Sequence, residues 1–305
     1  MKRMTAICVV AIAAWSLTGA AGGESRTAAS QAVEVAPDSM PRPRESIRVA
    51  SAQSLLNQQV VSADGRRIGR IEAVMLDISS ADAVFAVVSP AGAGDSSELM
   101  LIPFGALALH PPAEGPIHVG RPYDKIIEDS PRVPADRLSD WMKRDRVAES
   151  YRRYGVPTPY GYVIAPDPKR ERFPNRYLLV RPGALPGAAP EKRQADRALA
   201  DDLRGAHVRK QNGEVLGEVD YVLLDLESGR VAFALVYNGK DWIPVPLQAI
   251  AWTSDKGLAV KAGTEPDAFR PESKTGLPTQ VPRSQLEALY KRFNIRPYQE
   301  QSGLN

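Results

Sequence analysis

Two aspartates at corresponding positions of a repeated pattern are the best candidates for catalytic chemistry in this chain. Asp77 and Asp225 each follow a leucine at the end of an apolar stretch. Two carboxylates that meet across a twofold axis could bind a metal ion or act as general acid and general base. The alternative, which we favour, is that each aspartate caps its own turn by accepting a hydrogen bond from the backbone N–H two residues on.

Histidine, serine and cysteine patterns give no second candidate for catalysis. His110, His118 and His207 lack the H-x-H and H-E-x-x-H spacings that are typical of metal sites. No serine lies in a G-x-S-x-G elbow, and the single cysteine, Cys8, excludes a disulfide framework and a multi-cysteine metal site. We therefore predict that the protein is not an enzyme and has no catalytic residues, metal site or cofactor. A hydrolase or metal-dependent enzyme using Asp77 and Asp225 at a cleft between domains is the alternative.

A segment rich in tyrosine and arginine is the candidate partner-binding surface. Aromatic rings offer contact area at low entropic cost, and arginine pairs with carboxylates or phosphates. The alternative, which we slightly favour because extended proline-rich linkers usually need an anchor, is that the tyrosines cover the edge of the preceding domain and the segment packs between domains. The residues are Tyr151, Arg152, Arg153, Tyr154, Tyr160 and Tyr162.

The N-terminal residues predict export from the cytoplasm. Residues 1–22 combine Lys2 and Arg3, an apolar run and then small residues, which is the pattern of a secretory signal peptide. Whether this segment is cleaved or retained as an anchor is left open. Residues 23–50 lack hydrophobic periodicity and are expected to be a disordered tether. We expect the protein in the periplasm or at the cell surface.

Charge and export together restrict the partners. The 305 residues include 39 lysines and arginines against 36 acidic residues, a net charge of +3. This excess is small and an exported protein rarely meets nucleic acid, so nucleic acid is not an expected partner. A protein partner in the cell envelope is expected, and weak association with a membrane or an anionic wall polymer is left open.

An internal repeat organises the chain. Residues 55–88 align without a gap on residues 203–236, and eleven of these 34 pairs are identical. The repeat predicts two equivalent domains, residues 51–155 and 201–296, each ending in a short helix. A linker rich in proline, arginine and tyrosine, residues 156–200, joins them, and residues 297–305 form a flexible tail.

Turn signals predict short strands within each repeat. Asp64-Gly65 and Asn212-Gly213 are typical of tight hairpins, whose central residues need positive φ. Gly69 and Gly217 are assigned to the same turns, because glycines that do not lie between a strand and a helix are poor phosphate-binding candidates. With Asp77 and Asp225, these residues form the set of structural turn positions. Several short strands separated by glycine turns favour a small closed β-sheet.

Helix signals follow each set of strands. Asp136 is predicted to cap a helix whose apolar face consists of Leu138, Trp141 and Met142, and Ser284 with Glu287 is predicted to form a capping box. The predicted fold is therefore mainly β: two small barrels, each followed by a short α-helix, joined by an extended proline-rich linker.

The repeated pattern of V-x₃-[DN]-G, [IL]-G and L-D, followed by F-A and then P, resembles the PRC-barrel family. The resemblance implies a β-barrel of about six strands and a role in assembly or docking, with no common catalytic residues. Our functional prediction is a non-catalytic protein-binding or scaffolding module of the bacterial cell envelope; a purely structural pseudo-dimer is a further alternative, and the oligomeric state is left open. The matching residues are Val60, Asp64, Gly65, Ile68, Gly69, Ile71, Val74, Leu76, Asp77, Phe85 and Pro103, then Val208, Asn212, Gly213, Leu216, Gly217, Val219, Val222, Leu224, Asp225, Phe233 and Pro246.

Overall fold

The chain is mainly β and forms two eight-stranded sheets among the residues that the structure describes. In this computed structural model those residues are 45–78, 80–92, 98–109, 115–159, 177–180, 203, 205–252, 258–261 and 276–298. They all fall within one compact unit that begins at Arg44. We name residues 52–159 the N-domain and residues 203–298 the C-domain.

The strands and helices are short. The strands are β1 (Ser46–Ser51), β2 (Gln59–Ser62), β3 (Arg67–Asp77), β4 (Asp82–Pro90), β5 (Glu98–Pro103), β6 (Leu107–Ala108), β7 (Ile117–Val119), β8 (Arg132–Pro134), β9 (Tyr177–Val180), β10 (His207–Arg209), β11 (Val215–Asp225), β12 (Val231–Tyr237), β13 (Trp242–Val245), β14 (Ile250–Trp252), β15 (Leu258–Val260) and β16 (Gln280–Pro282). The α-helices are α1 (Ala52–Leu55), α2 (Tyr123–Asp129), α3 (Arg144–Tyr154) and α4 (Arg283–Arg292), and 3₁₀ helices span Phe104–Ala106, Ala135–Met142 and Leu247–Ala249.

Six strands are equivalent in the two domains. The N-domain sheet has the order β6-β7-β2-β3-β4-β5, and the C-domain sheet has the matching order β14-β15-β10-β11-β12-β13. The eleven-residue strands β3 and β11 each contain two register shifts against the next strand. Such bulges bend a long strand so that one strand can follow a strongly curved sheet. The repeat seen in the sequence is thus a repeat of topology.

Each domain receives one strand from the segment that precedes the other domain. Strand β1, which precedes the N-domain, pairs antiparallel with β11 of the C-domain, with Val49 opposite Asp225. Strand β9, which precedes the C-domain, pairs antiparallel with β3 of the N-domain, with Tyr177 opposite Asp77. Asp77 and Asp225 are repeat equivalents, so the two added strands pair with the same position of their respective domains. We call β1 and β9 the exchanged strands.

The exchanged strands correct two boundaries from the sequence analysis. The predicted tether extended to residue 50, but Ser46–Ser51 is a strand in which Ile47 and Val49 are buried. The predicted linker, residues 156–200, contains β9. Alternation in β1 is readable in retrospect, yet its partner lies in the other repeat, which local pattern reading does not reveal.

A proline accounts for a difference between the two sheets. In the N-domain, β8 pairs with β5, and the Leu101 N–H donates to the Pro131 carbonyl (3.1 Å). The position of Leu101 is occupied in β13 by Pro244, which has no N–H to donate. In the C-domain β16 pairs with β1, and the Thr279 carbonyl, equivalent to that of Pro131, accepts from the Val49 N–H (2.9 Å).

The helices differ from their predicted starts. The segment predicted to be the first helix is the 3₁₀ helix Ala135–Met142, which buries Leu138 and Met142, and α3 follows it. Pro134 occupies the N-cap of the 3₁₀ helix, and Pro282 that of α4, both without a side-chain cap bond. The predicted cap at Asp136 and the predicted capping box of Ser284 with Glu287 are therefore wrong, because a proline precedes both helices and places these polar residues inside the first turn.

Candidate functional site

The carboxylate of Asp225 is engaged by its own turn. Its Oδ1 accepts a hydrogen bond from the Glu227 N–H (2.9 Å), and its Oδ2 accepts from the Ser228 hydroxyl (2.8 Å). The same Oδ2 accepts from the Tyr298 hydroxyl (2.9 Å), and the side chain is buried. A carboxylate that already accepts three hydrogen bonds is positioned to hold the turn closed rather than to transfer a proton to a substrate.

Asp77 occupies the equivalent position of the N-domain. It ends β3, is buried, and lies opposite Asp82 of β4 on one side and Tyr177 of the exchanged strand β9 on the other. Both aspartates thus lie at a point where an exchanged strand joins a domain sheet. Within the described residues, no observation favours the alternative in which these two carboxylates share a catalytic cleft.

The two hairpins form at the predicted positions, but the prediction that both central residues have positive φ is wrong, because Asp64 and Asn212 do not have it. Gly65 and Gly213 adopt φ of 77° and 84°, values that a glycine accommodates without strain. The Asn212 Oδ1 accepts from the Glu214 N–H (3.0 Å), which closes an Asx turn. The Asp64 Oδ1 accepts instead from the Tyr123 N–H (3.0 Å), so this hairpin also holds the start of α2.

Gly69 and Gly217 serve a different purpose from the one assigned to them. They lie inside strands β3 and β11, not in turns. A Cβ at Gly69 would lie 2.0 Å from the Ser89 carbonyl oxygen, and one at Gly217 would lie 2.3 Å from that of Tyr237. Their assignment as turn residues is corrected: glycine is required because the neighbouring strand passes too close for any side chain.

Tyr151 is a core residue of the N-domain. Its hydroxyl donates to the Val84 carbonyl (2.7 Å), and its ring lies against that of Phe85, with centroids 6.2 Å apart. Burial raises the pKa of its phenol above the ordinary value. Because only 1% of the residue is exposed, its ring is not available to a partner, which corrects its place in the predicted surface.

Tyr154 is also inside the protein. Its hydroxyl bonds with that of Ser130, and the Arg121 guanidinium lies over its ring at 4.9 Å. Burial raises the pKa of Tyr154 to about 12. With Tyr151, this residue fixes α3 against the N-domain, as the packing alternative of the sequence analysis described for the edge of that domain.

The two arginines between these tyrosines are exposed. Arg152 and Arg153 have side chains that are 78% and 52% exposed, and both bind Glu149, Arg153 at 2.8 Å. The remaining predicted surface residues, Tyr160 and Tyr162, lie outside the described residues. We call Arg152, Arg153 and Glu149 the arginine surface. Partner binding at this surface stays a prediction.

A contact between the domains was missed by the sequence analysis. The Ala83 N–H donates to the Gly229 carbonyl (3.3 Å), and the Val231 N–H donates to the Ala81 carbonyl (2.9 Å). Ala81 is the repeat equivalent of Gly229, and Ala83 that of Val231, so the two bonds are related by a local twofold axis. The same alignment pairs Asp82 with Arg230, and this opposite charge was the available signal.

Asp82 and Arg230 form a buried ion pair at this axis. The Arg230 Nε lies 3.0 Å from the Asp82 Oδ1, and the two side chains are only 11% and 4% exposed. The guanidinium also donates to the Ser80 carbonyl (2.9 Å) and to the Tyr298 carbonyl (3.3 Å). It further lies over the Tyr298 ring at 5.1 Å. Such hydrogen bonds offset part of the cost of removing a charge from water.

The described residues give no sign of a metal site or of a membrane-spanning helix. They contain no group of three or more histidine, cysteine or acidic side chains arranged to hold a metal. None of the helices in the described part of the chain has the length and apolar character needed to cross a membrane. His118 and His207 are exposed, and His110 lies outside the described residues.

The duplicated, mainly β architecture is matched by a known domain family. Comparison with family models matches the PRC-barrel domain twice, at residues 48–114 and 195–261. Two tandem regions of the chain thus match the PRC-barrel domain, as the sequence analysis predicted. PRC-barrel domains are known as binding or scaffolding modules and are generally non-catalytic. No curated protein matched the chain.

Proposed function

We propose that this protein is a non-catalytic protein-binding or scaffolding module of the bacterial cell envelope, built from duplicated PRC-barrel domains. The observation that carries the proposal is the way α3 presents the arginine surface. Tyr151 and Tyr154 are buried on one side of the helix, so the helix is held in a fixed orientation. Arg152 and Arg153 point from its last turn into solvent, where they can meet a partner without reorganisation of the domain.

The arginine surface fits a protein partner with acidic side chains at its edge. Arginine binds carboxylates with two parallel hydrogen bonds and loses little entropy on doing so. Glu149 binds both arginines in the free protein, which limits the surface charge and disfavours indiscriminate attraction to anions. We therefore place weak association with a membrane or a wall polymer second to protein binding, and nucleic acid outside the proposal.

The partner surface is tested by recovering complexes from cells that make the tagged full-length protein. After chemical cross-linking, the wild type should yield a defined partner, and the Arg152→Ala/Arg153→Ala variant should lose most of it. Arg137→Ala is the matched control, because Arg137 is an exposed arginine that also binds an acidic residue three positions away, Asp140. Equal recovery by all three proteins would remove the arginine surface from the proposal; absence of any defined partner would contradict the scaffold role itself.

The envelope location is a separate part of the proposal and rests on the pattern of residues 1–22. Cell fractionation should place the protein in the periplasm or at the cell surface. N-terminal sequencing of the mature protein should begin near Gly23, and a variant with Lys2 and Arg3 changed to glutamate should accumulate in the cytoplasm. Recovery of the wild type from the cytoplasm with residues 1–22 intact would contradict this location.

A further inference from the structure

The contact at the local twofold axis is formed between equivalent positions of two repeats, and this restricts which halves can pair. Around such an axis, each residue on one side meets its counterpart on the other. Two copies of the N-domain in this arrangement would bring Asp82 against a second Asp82. Two copies of the C-domain would bring Arg230 against a second Arg230. Only the pairing of unlike domains places opposite charges together.

Because the ion pair is buried, the preference for pairing unlike domains is strong. At an exposed site, an unpaired charge or a pair of like charges costs little because water and salt screen it. The Asp82 and Arg230 side chains are only 4% and 11% exposed, so two like charges here would be strongly destabilising. The surrounding contacts do not discriminate in the same way. The backbone bonds of Ala83 and Val231 use main-chain groups that every residue except proline provides, so identical halves could form them as well.

The exchanged strands make correct pairing necessary for both domains. Strand β1 completes the C-domain sheet next to β11, and β9 lies next to β3 in the N-domain sheet. The Gln53 side chain extends this link, since its amide donates to the Asp220 carbonyl (3.2 Å) and its carbonyl accepts from the Val222 N–H (3.3 Å). Each domain therefore contains backbone supplied by the segment attached to the other.

We propose that Asp82 and Arg230 are a pairing code: they direct each PRC-barrel domain to associate with the unlike domain of the same chain and exclude pairing of like domains. The partner of each domain is thus the other half of this protein, held through the axis contact and the exchanged strands. This inference does not depend on the arginine surface or on the envelope location.

The test uses the full-length folded protein with a specific protease site inserted between residues 183 and 200. After cleavage, the two halves should remain together as a one-to-one complex on size exclusion. Arg230→Asp or Asp82→Arg should weaken the association of the halves by about 10²-fold or more, because either change buries two like charges. The double variant Asp82→Arg/Arg230→Asp restores opposite charges and should regain at least about tenfold of that loss.

Arg230→Lys separates charge from hydrogen bonding. Lysine keeps the positive charge but cannot reproduce the bonds of the guanidinium to both the Ser80 and Tyr298 carbonyls. It should therefore weaken association less than Arg230→Asp. If either charge reversal prevents folding, the uncut double variant must still fold better than that single variant in a urea titration. A double variant no better than the single reversals, or a lysine variant as weak as Arg230→Asp, would overturn the pairing code.

Discussion

Tyr151 and Tyr290 make the same hydrogen bond in the two domains, although the sequence repeat does not align them. The Tyr151 hydroxyl donates to the Val84 carbonyl at 2.7 Å, and the Tyr290 hydroxyl donates to the Ala232 carbonyl at 2.9 Å. Val84 and Ala232 are repeat equivalents. In this contact α3 corresponds to α4. The 3₁₀ helix Ala135–Met142 precedes α3, so Tyr151 lies later in its repeat than Tyr290 does.

Removing either tyrosine hydroxyl should destabilise the protein. Tyr151→Phe and Tyr290→Phe each leave a buried carbonyl without its donor, and we expect a loss of about 1 to 3 kcal/mol in the free energy of unfolding. Urea titration followed by circular dichroism measures the change. Tyr237→Phe is the control, because its hydroxyl bonds an exposed carbonyl, that of Gly239. A loss in the control as large as in Tyr151→Phe would show that burial of the acceptor is not the cause.

Alanine substitutions should separate the two kinds of glycine. Gly69→Ala and Gly217→Ala place a methyl group 2.0 Å and 2.3 Å from a neighbouring carbonyl oxygen, so each should cost at least about 3 kcal/mol. Gly65→Ala has open space around the new methyl group and only the strain of positive φ, so we expect about 1 kcal/mol. Thermal unfolding of the three variants ranks their losses of stability. Similar losses for Gly65→Ala and Gly69→Ala would contradict the close approach of the Ser89 carbonyl to Gly69.

A substitution in β1 should destabilise the C-domain sheet. Ile47→Ala removes a buried side chain and should cost about 2 to 5 kcal/mol. Hydrogen exchange followed by mass spectrometry should show faster exchange in β11 and β16, the neighbours of β1, and little change in β4 and β5. Arg48→Ala, an exposed position of the same strand, is the control. Faster exchange confined to the N-domain would disprove the exchange of strands.

Alkaline pH should unfold the protein through its buried tyrosines. Burial raises the pKa of Tyr154 to about 12, and burial also raises the pKa of Tyr151, Tyr290 and Tyr298. In the unfolded chain these phenols ionise near pH 10. A raised pKa in the folded state means that stability is full below about pH 10 and is lost as the pH rises toward about 12 and beyond.

Urea titrations at several pH values between about 8 and 11 measure this loss, and absorbance at 295 nm follows phenolate formation. Tyr154→Phe removes one of the titrating groups, so its stability should fall less steeply with pH than that of the wild type. A wild-type stability that stays constant through this range would contradict the shifted pKa values.

Local features of the fold were predictable from sequence because they depend on neighbouring residues. The hairpin at Asp64-Gly65 was predictable because glycine accommodates the positive φ that Gly65 adopts, and the equivalence of the two domains was predictable from the repeat. Gly69 was misassigned because a close strand approach and a turn both select glycine. The capping residues were misassigned because Ser284 and Glu287 have a capping-box spacing, whereas Pro282 takes the N-cap.

The contacts that join the domains were harder to predict because they depend on the three-dimensional arrangement. Nothing in Ser46–Ser51 indicates that its neighbour is β11. The Asp82 and Arg230 pair was visible as opposite charges at aligned positions, but only the local twofold axis gives that coincidence a physical meaning. In the candidate surface, sequence identified the arginines but not the helix α3 that carries them. The burial of Tyr151 and Tyr154 depended on their packing in the fold, where their hydroxyls bond with the Val84 carbonyl and the Ser130 hydroxyl.

The exchange of β1 also sets an order of events during biosynthesis. Its partner strand lies about 175 residues further along the chain, so β1 is made long before β11 leaves the ribosome. Until then its backbone donors and acceptors lack the strand with which they pair in the folded protein. The C-domain, which is synthesised after the N-domain, is thus completed by β1, and a chain truncated before β11 exposes an unpaired strand that invites aggregation.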